Sequence, residues 1–300
     1  MDDTGDWTEL HRGRTVLVTG AGAGLGATLA RHYAGAGARV MVNNRHRREG
    51  EPSAEKVARS LRAEGWDATA DLHAIDAPDA AAGIRSALEE RYGGLDTLVL
   101  NAGINGTASR IASMDPAAFA QVMAVNFTAN VALVQALLPL LERSAAGRIL
   151  FVSSSAGLHG LYGRAHYAAS KGAMNAFALT LAAELRRRGI GVNLLLPYAD
   201  TAMTEDVGAA VMAHFAADKV APAALWLTSP QCQATGEMWI AGGGHFRRAM
   251  TVETQGTTVP AFGPRDGGAI AAAAADLDGL RPFTDGEAAF RDVLAAIDRG

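Results

Sequence analysis

Tyr167 and Lys171 stand four residues apart in "AHYAASKGAMNAFALTLAAEL", a stretch otherwise apolar enough to read as a buried helix. Four residues are about one helical turn, so the two side chains share a face and their polar tips come within reach of each other. A free phenol, with a pKa near 10, is a poor base at neutral pH. An adjacent ammonium favours the phenolate and lowers that value. Such a pair can exchange the proton of a carbinol hydroxyl while a hydride moves at its carbon; the alternative is a pair that only satisfies local hydrogen bonds. Upstream, "VSSSAG" offers a hydroxyl at Ser153, Ser154 or Ser155, and Ser154 precedes Tyr167 by thirteen residues.

A second constellation lies near the N-terminus, where "TGAGAGLG", Thr19 to Gly26, joins the apolar run "TVLV" to the helical pattern "LGATLARHYAGAG". Glycines there let the backbone turn tightly and let a pyrophosphate approach a helix N-terminus, whose free N–H groups and dipole favour an anion. The strict G-x-G-x-x-G spacing fails at Leu25, and the spacing that fits is Gly20, Gly24, Gly26. About 20 residues on, where an NAD enzyme carries a carboxylate, the chain has Asn44 and Arg45. A guanidinium without a neighbouring carboxylate favours a 2′-phosphate, hence NADP, with NAD the alternative. Arg45, Arg47 and Arg48 forming a solvated face is the competing reading.

The elements that must position these residues follow from apolar runs alternating with helical patterns: "TVLVTG", "RVMVNN", "TLVLNAG", "GRILFVSS", "GVNLLLP" and "EMWIAGG". This is the pattern of an α/β fold, a parallel sheet with helices on both faces, here of about seven strands including a weak third near 69–74. One domain is expected over residues 1–250. A C-terminal extension richer in Gly, Pro and Ala follows over 251–300, with a short helix at 271–275.

Among 300 residues the net charge is -4 and the pI about 6.1, so no basic footprint for nucleic acid is present. The chain is read as having no uncharged run near the 18 residues of a membrane span and no signal sequence, which predicts a cytoplasmic protein without a membrane partner. Cys232 is the sole cysteine, excluding an intrachain disulfide or cysteine-rich zinc site, and no metal is expected.

With "NAG" at Asn101 to Gly103, Asn126 in "VNF", Ser154, and Tyr167 with Lys171 falling in order after the glycine pattern, the chain resembles the short-chain dehydrogenase/reductase family. The resemblance implies a Rossmann-type doubly wound sheet, a nicotinamide cofactor and a catalytic tetrad of Asn126, Ser154, Tyr167 and Lys171. In that tetrad Ser154 acts at the substrate oxygen, Lys171 also holds the nicotinamide ribose, and Asn126 anchors a water in a proton relay. It also implies cofactor contacts from Gly20, Gly24, Leu25, Gly26, Asn44, Arg45, Asp76, Asn101, Ala102, Gly103, Tyr167, Lys171, Pro197 and Thr201. Thr204 is a further candidate and Tyr198 a pocket residue; His159 and His166 are read as surface and structural. A homodimer or homotetramer is expected, because "FAQVMAVNFTANVALVQALLPLL" and "AMNAFALTLAAEL" are apolar around more of their circumference than one sheet can cover.

From about residue 11 to 257 the likeness is closer to the (3R)-hydroxyacyl-CoA dehydrogenase modules of peroxisomal multifunctional enzymes and their free-standing bacterial relatives. It points to a 3-oxoacyl thioester substrate. The candidate substrate loop adds apolar side chains at Met203, Val207, Val211, Met212 and Phe215. No basic cluster for a CoA phosphate is recognisable. A steroid or natural-product ketone is the alternative substrate, and a non-catalytic nucleotide sensor the alternative function.

Overall fold

The computed structural model describes residues 7–45, 50–199, 214–258, 268, 272–273 and 276–297. The expected short helix at 271–275 falls largely outside them. The chain divides into two compact units, residues 1–248 and 249–300.

In the first unit the apolar runs become β1 (Thr15–Val18), β2 (Arg39–Asn43), β3 (Ala68–Asp71), β4 (Thr97–Leu100), β5 (Arg148–Val152), β6 (Gly191–Tyr198) and β7 (Met238–Gly242). They form a parallel sheet in the order β3-β2-β1-β4-β5-β6-β7, extended at the β7 edge by β8 (His245–Ala249). Eight strands thus replace the expected seven. The eighth escapes a hydrophobic pattern because its residues are mostly exposed and charged, as edge strands often are. β3 ends at Asp71, three residues short of the expected limit.

Helices α1 (Gly24–Gly35), α2 (Ser53–Ala63), α3 (Ala80–Tyr92), α4 (Pro116–Met123), α5 (Ala129–Leu141), α6 (Ala156–His159), α7 (Ala165–Leu185) and α8 (Ala221–Thr228) connect the strands. Strands buried on both faces make the core, with Val16, Leu17, Val18, Leu98, Leu150 and Leu195 fully enclosed. A π-helical turn, Ala124–Thr128, joins α4 to α5. The combined helix Pro116–Leu141 corrects one premise of the membrane reading, the absence of a long uncharged run: its 26 residues carry no charge, and an 18-residue window within it reaches a mean hydropathy of 1.6, enough to cross a bilayer by length and composition. Half of that window is buried within the fold, where Leu133, Leu137, Leu140 and Leu141 pack into the interior as a core helix does.

The amino edge of the sheet is fastened by a buried and a half-buried arginine, Arg148 and Arg14. The Arg148 guanidinium donates to the carbonyls of Gly147, Ser229, Pro230 and Cys232 at 2.9–3.1 Å. Arg14 donates to Ala146 O (2.7 Å) and Asp96 O (3.2 Å). Gly147 O, Asp96 O and Ser229 O also accept backbone N–H groups, while for the Ala146, Pro230 and Cys232 carbonyls a guanidinium is the partner among the described residues. In the second unit, β9 (Val252–Glu253) and β10 (Arg281–Pro282) pair antiparallel, and α9 (Gly286–Ile297) follows, with Arg281 bonded to Asp292 at 2.7 Å.

Candidate active site

β1 lies between β2 and β4, so consecutive crossovers leave it in opposite directions and open a crevice at the carboxyl ends of the strands. The glycine loop sits there. Gly20 has φ +66°, and a Cβ on it would lie 2.7 Å from Ala102 Cα; a Cβ on Gly26 would collide with the Gly20 carbonyl and the Asn101 side chain. Backbone must therefore pass close to backbone at this point. Gly24 and Leu25 open α1, and no side chain caps its first N–H groups. They remain available to an anion. The Thr19 hydroxyl accepts from Asn101 N (3.0 Å) and Ala102 N (3.1 Å), tying this loop to the Asn101–Gly103 segment. A nicotinamide dinucleotide fits such a cradle.

At the end of β2, Asn44 donates through Nδ2 to Ser53 Oγ (2.7 Å), and Arg45 is half-buried without a hydrogen bond or ion pair to any described residue. Arg47, Arg48, Thr201, Thr204, Met203, Val207, Val211 and Met212 lie outside the described residues. Asp76 is exposed in the loop after β3 and accepts from Gln121 Nε2 at 3.3 Å. A second carboxylate, Asp71 at the strand end, accepts from Asn43 Nδ2 (2.6 Å) and faces His73 Nδ1 (2.8 Å). Only the β2–β3 pairing, which sets Asn43 opposite Asp71, reveals that group.

Across the crevice, β5 delivers Ser154 one residue beyond Ser153, and α7 presents Tyr167 and Lys171, both buried. Ser153 is committed elsewhere, donating to Asn175 Oδ1 at 2.5 Å, and Ser155 accepts from Tyr198 OH at 2.9 Å. Ser154 Oγ accepts the backbone N–H of Ala156 at 3.2 Å, and its hydroxyl hydrogen-bonds the Tyr167 phenol. Burial pushes the Tyr167 phenol above its usual value, with Ser154 and Arg164 pulling the other way. The Lys171 ammonium donates to Val152 O at 2.8 Å, lies 5.8 Å from the centroid of the Tyr167 ring, and is driven down to about 8 by burial. The phenol is thus raised by loss of solvent rather than lowered by the lysine as the spacing led one to expect.

Asn126 belongs to the π-helical turn. Its Nδ2 donates to Ile104 O (2.9 Å) and Ser170 Oγ (3.0 Å), and its Oδ1 accepts from Ile104 N (2.8 Å). The side chain thus braces the loop after β4 against α7. His166, fully buried, accepts the Tyr167 N–H at Nδ1 (2.7 Å), which leaves Nε2 to donate to Thr107 O (3.0 Å). This satisfies an N–H in the first turn of α7 that has no helical acceptor. His159 is exposed, and Pro197 is half-buried near the end of β6, opposite Ala241 of β7. The structure gathers all four tetrad candidates and the glycine loop at one edge of the sheet.

A hydroxyl pair and a buried ammonium beside a dinucleotide cradle define a site for hydride transfer coupled to proton exchange. Residues 14–211 match the short chain dehydrogenase family model. The chain belongs to that family, and it is an oxidoreductase of the short-chain dehydrogenase/reductase type. It is 32% identical over 255 residues to peroxisomal multifunctional enzyme type 2 of Mus musculus, covering 82% of this chain and 34% of that protein. It thus spans about a third of that relative. A putative short-chain type dehydrogenase/reductase of Mycobacterium tuberculosis is 30% identical, over 81% of this chain and 87% of its own. Among solved structures, a short chain dehydrogenase from Mycobacterium avium superimposes with a TM-score of 0.78 at 33% identity, covering 91% of this chain and 98% of its own. One from Shigella flexneri complexed with NADP gives 0.72 at 30% identity, covering 78% and 98%.

Proposed function

We propose that the chain interconverts a (3R)-hydroxyacyl and a 3-oxoacyl thioester, with NADP(H) as its preferred nucleotide. A bound nicotinamide supplies or accepts the hydride; the rest falls to this chain. Tyr167 exchanges the proton at the substrate oxygen, and Ser154, whose hydroxyl keeps donor capacity, hydrogen-bonds the same oxygen. Lys171 holds positive charge beside the phenol and the nicotinamide ribose, and Asn126 fixes the loop after β4. The observation that carries the nucleotide reading is Arg45, unpaired among the described residues and with Asn44 rather than a carboxylate at the preceding position. The NADP complex of the Shigella relative supports it. The substrate reading rests on the likeness to the multifunctional enzyme, which covers 82% of this chain. Its location is proposed to be cytoplasmic, in line with a single buried cysteine that forms no disulfide.

Comparing kcat/KM for acetoacetyl-CoA, longer 3-oxoacyl thioesters and cyclic ketones tests the substrate. Thioesters are expected to win. A cyclic ketone better by tenfold or more, about 1.4 kcal/mol in transition-state binding, would favour a steroid or natural-product ketoreductase. For the nucleotide, Arg45→Ala should narrow an NADP preference by about tenfold to a hundredfold, the worth of one charged hydrogen-bond pair, roughly 1.5 to 3 kcal/mol. Equal affinity of the unaltered protein for NAD and NADP would refute this.

A further inference from the structure

Beyond the tetrad, the carboxyl edge of the sheet holds an open cavity of about 370 Å³. Tyr198, at the end of β6, and Phe215 form its aromatic wall, their ring centroids 6.2 Å apart. His214, His245 and Arg247 bring basic groups to it. These residues are scattered between positions 198 and 247, so no run of charge announces them. Alternation along β8 separates two adjacent arginines: Arg248 pairs with Glu237 at 3.2 Å, whereas Arg247, on the face it shares with His245, has no carboxylate within ion-pair distance among the described residues. A guanidinium and two imidazoles converging without a carboxylate suit a phosphate.

One wall of the cavity, Tyr198, connects to the segment that carries Ser154. Tyr198 OH donates to Ser155 Oγ at 2.9 Å, the residue next to Ser154. From β5, whose end Ser154 follows by two residues, to β8, which carries Arg247, there are three strand spacings, about 14 Å. A short keto acid cannot place its carbonyl at Ser154 and its anion at Arg247. A molecule with an arm about as long as four extended residues can. The pantetheine arm has about that many chain atoms between its sulfur and its phosphorus.

We propose that this cavity is the docking subsite for the phosphate end of a phosphopantetheine thioester, with Arg247 and His245 as the phosphate contacts and Tyr198 and Phe215 flanking the arm. The inference rests on the thioester reading above and removes its main difficulty, the want of a basic cluster. Its chemistry is shared by coenzyme A and by the prosthetic arm of an acyl carrier protein.

Steady-state reduction of acetoacetyl-CoA, acetoacetyl-pantetheine, which lacks the phosphate, and acetoacetyl carrier protein tests it. The unaltered protein should prefer a phosphate-bearing thioester to the pantetheine thioester by tenfold or more in kcat/KM. Arg247→Ala should shrink that preference about tenfold, through KM rather than kcat, and Arg247→Lys should recover part of it. Preference for the CoA or for the carrier-protein thioester identifies the source of the phosphate. Turnover of all three with no preference for phosphate, or a preference untouched by Arg247→Ala, overturns the subsite and leaves the thioester reading standing. Failure to reduce any of them while cyclic ketones are reduced overturns both. Parallel losses on all substrates, with circular dichroism showing a misfolded Arg247→Ala, shift the decision to His245→Gln, whose preference must then fall.

Discussion

Tyr167 carries the most consequence per atom. Removing its hydroxyl while keeping the ring, as in Tyr167→Phe, should leave nucleotide binding within a few-fold but lower kcat/KM by about a hundredfold or more, the usual share of acid–base catalysis. Fluorescence titration of the nucleotide and stopped-flow reduction check the two halves. Because burial raises the phenol's pKa, the protonated form prevails at neutral pH. Ketone reduction, which needs that proton, should hold through neutral pH and decline when alkali removes it, while alcohol oxidation rises over the same range; pH profiles in both directions should cross accordingly. The i, i+4 spacing made Tyr167 and Lys171 legible in the sequence, because helix geometry alone puts them on one face. What Lys171 bonds was not legible, since a backbone acceptor such as Val152 O leaves no trace in residue types. The same holds for Asn126, whose amide is used up on Ile104 and Ser170.

At the scale of elements, α5 and α7 each keep part of their surface uncovered. On α7 Ala176, Leu179, Thr180 and Ala183 are exposed, and on α5 Ala132 and Gln135. We expect these faces to meet those of a second copy, giving a dimer or tetramer. Light scattering at micromolar concentration should report a multiple of 31.1 kDa, and Leu179→Glu should shift it toward the monomer. A monomeric mass for the unaltered protein would refute the association. Central strands were legible because burial on both faces demands unbroken apolar runs. β8 was not, since only one edge of it is paired and its side chains stay in water. The uncharged run at 116–141 went unread for the opposite reason: a core helix enclosed by strands and other helices needs no charge either.

For the molecule as a whole, His11 sets an acid limit. Its ring is fully buried against Tyr33, with centroids 5.0 Å apart, and Nε2 bonds Leu225 O at 3.0 Å. Burial lowers its pKa from 6.5 to about 4. The unfolded chain therefore takes up the proton first as pH falls, so the stability this group contributes is complete above pH 6.5 and drains away between 6.5 and 4, by up to roughly 3 kcal/mol. Urea midpoints at pH 7 and pH 5 should differ, and His11→Gln should flatten that part of the difference. Arg14, Arg39 and Arg148 stand at this same amino edge, one sheet length from Tyr167 and the glycine loop. Durability and reactivity are thus housed at opposite poles. A variant hardened at the arginine pole need not slow the chemistry, because the usual penalty of stabilisation arises where the altered residues must also move or react. The protein could be made tougher by substitutions around Arg148, for instance in the 229–232 segment, without retuning its rate.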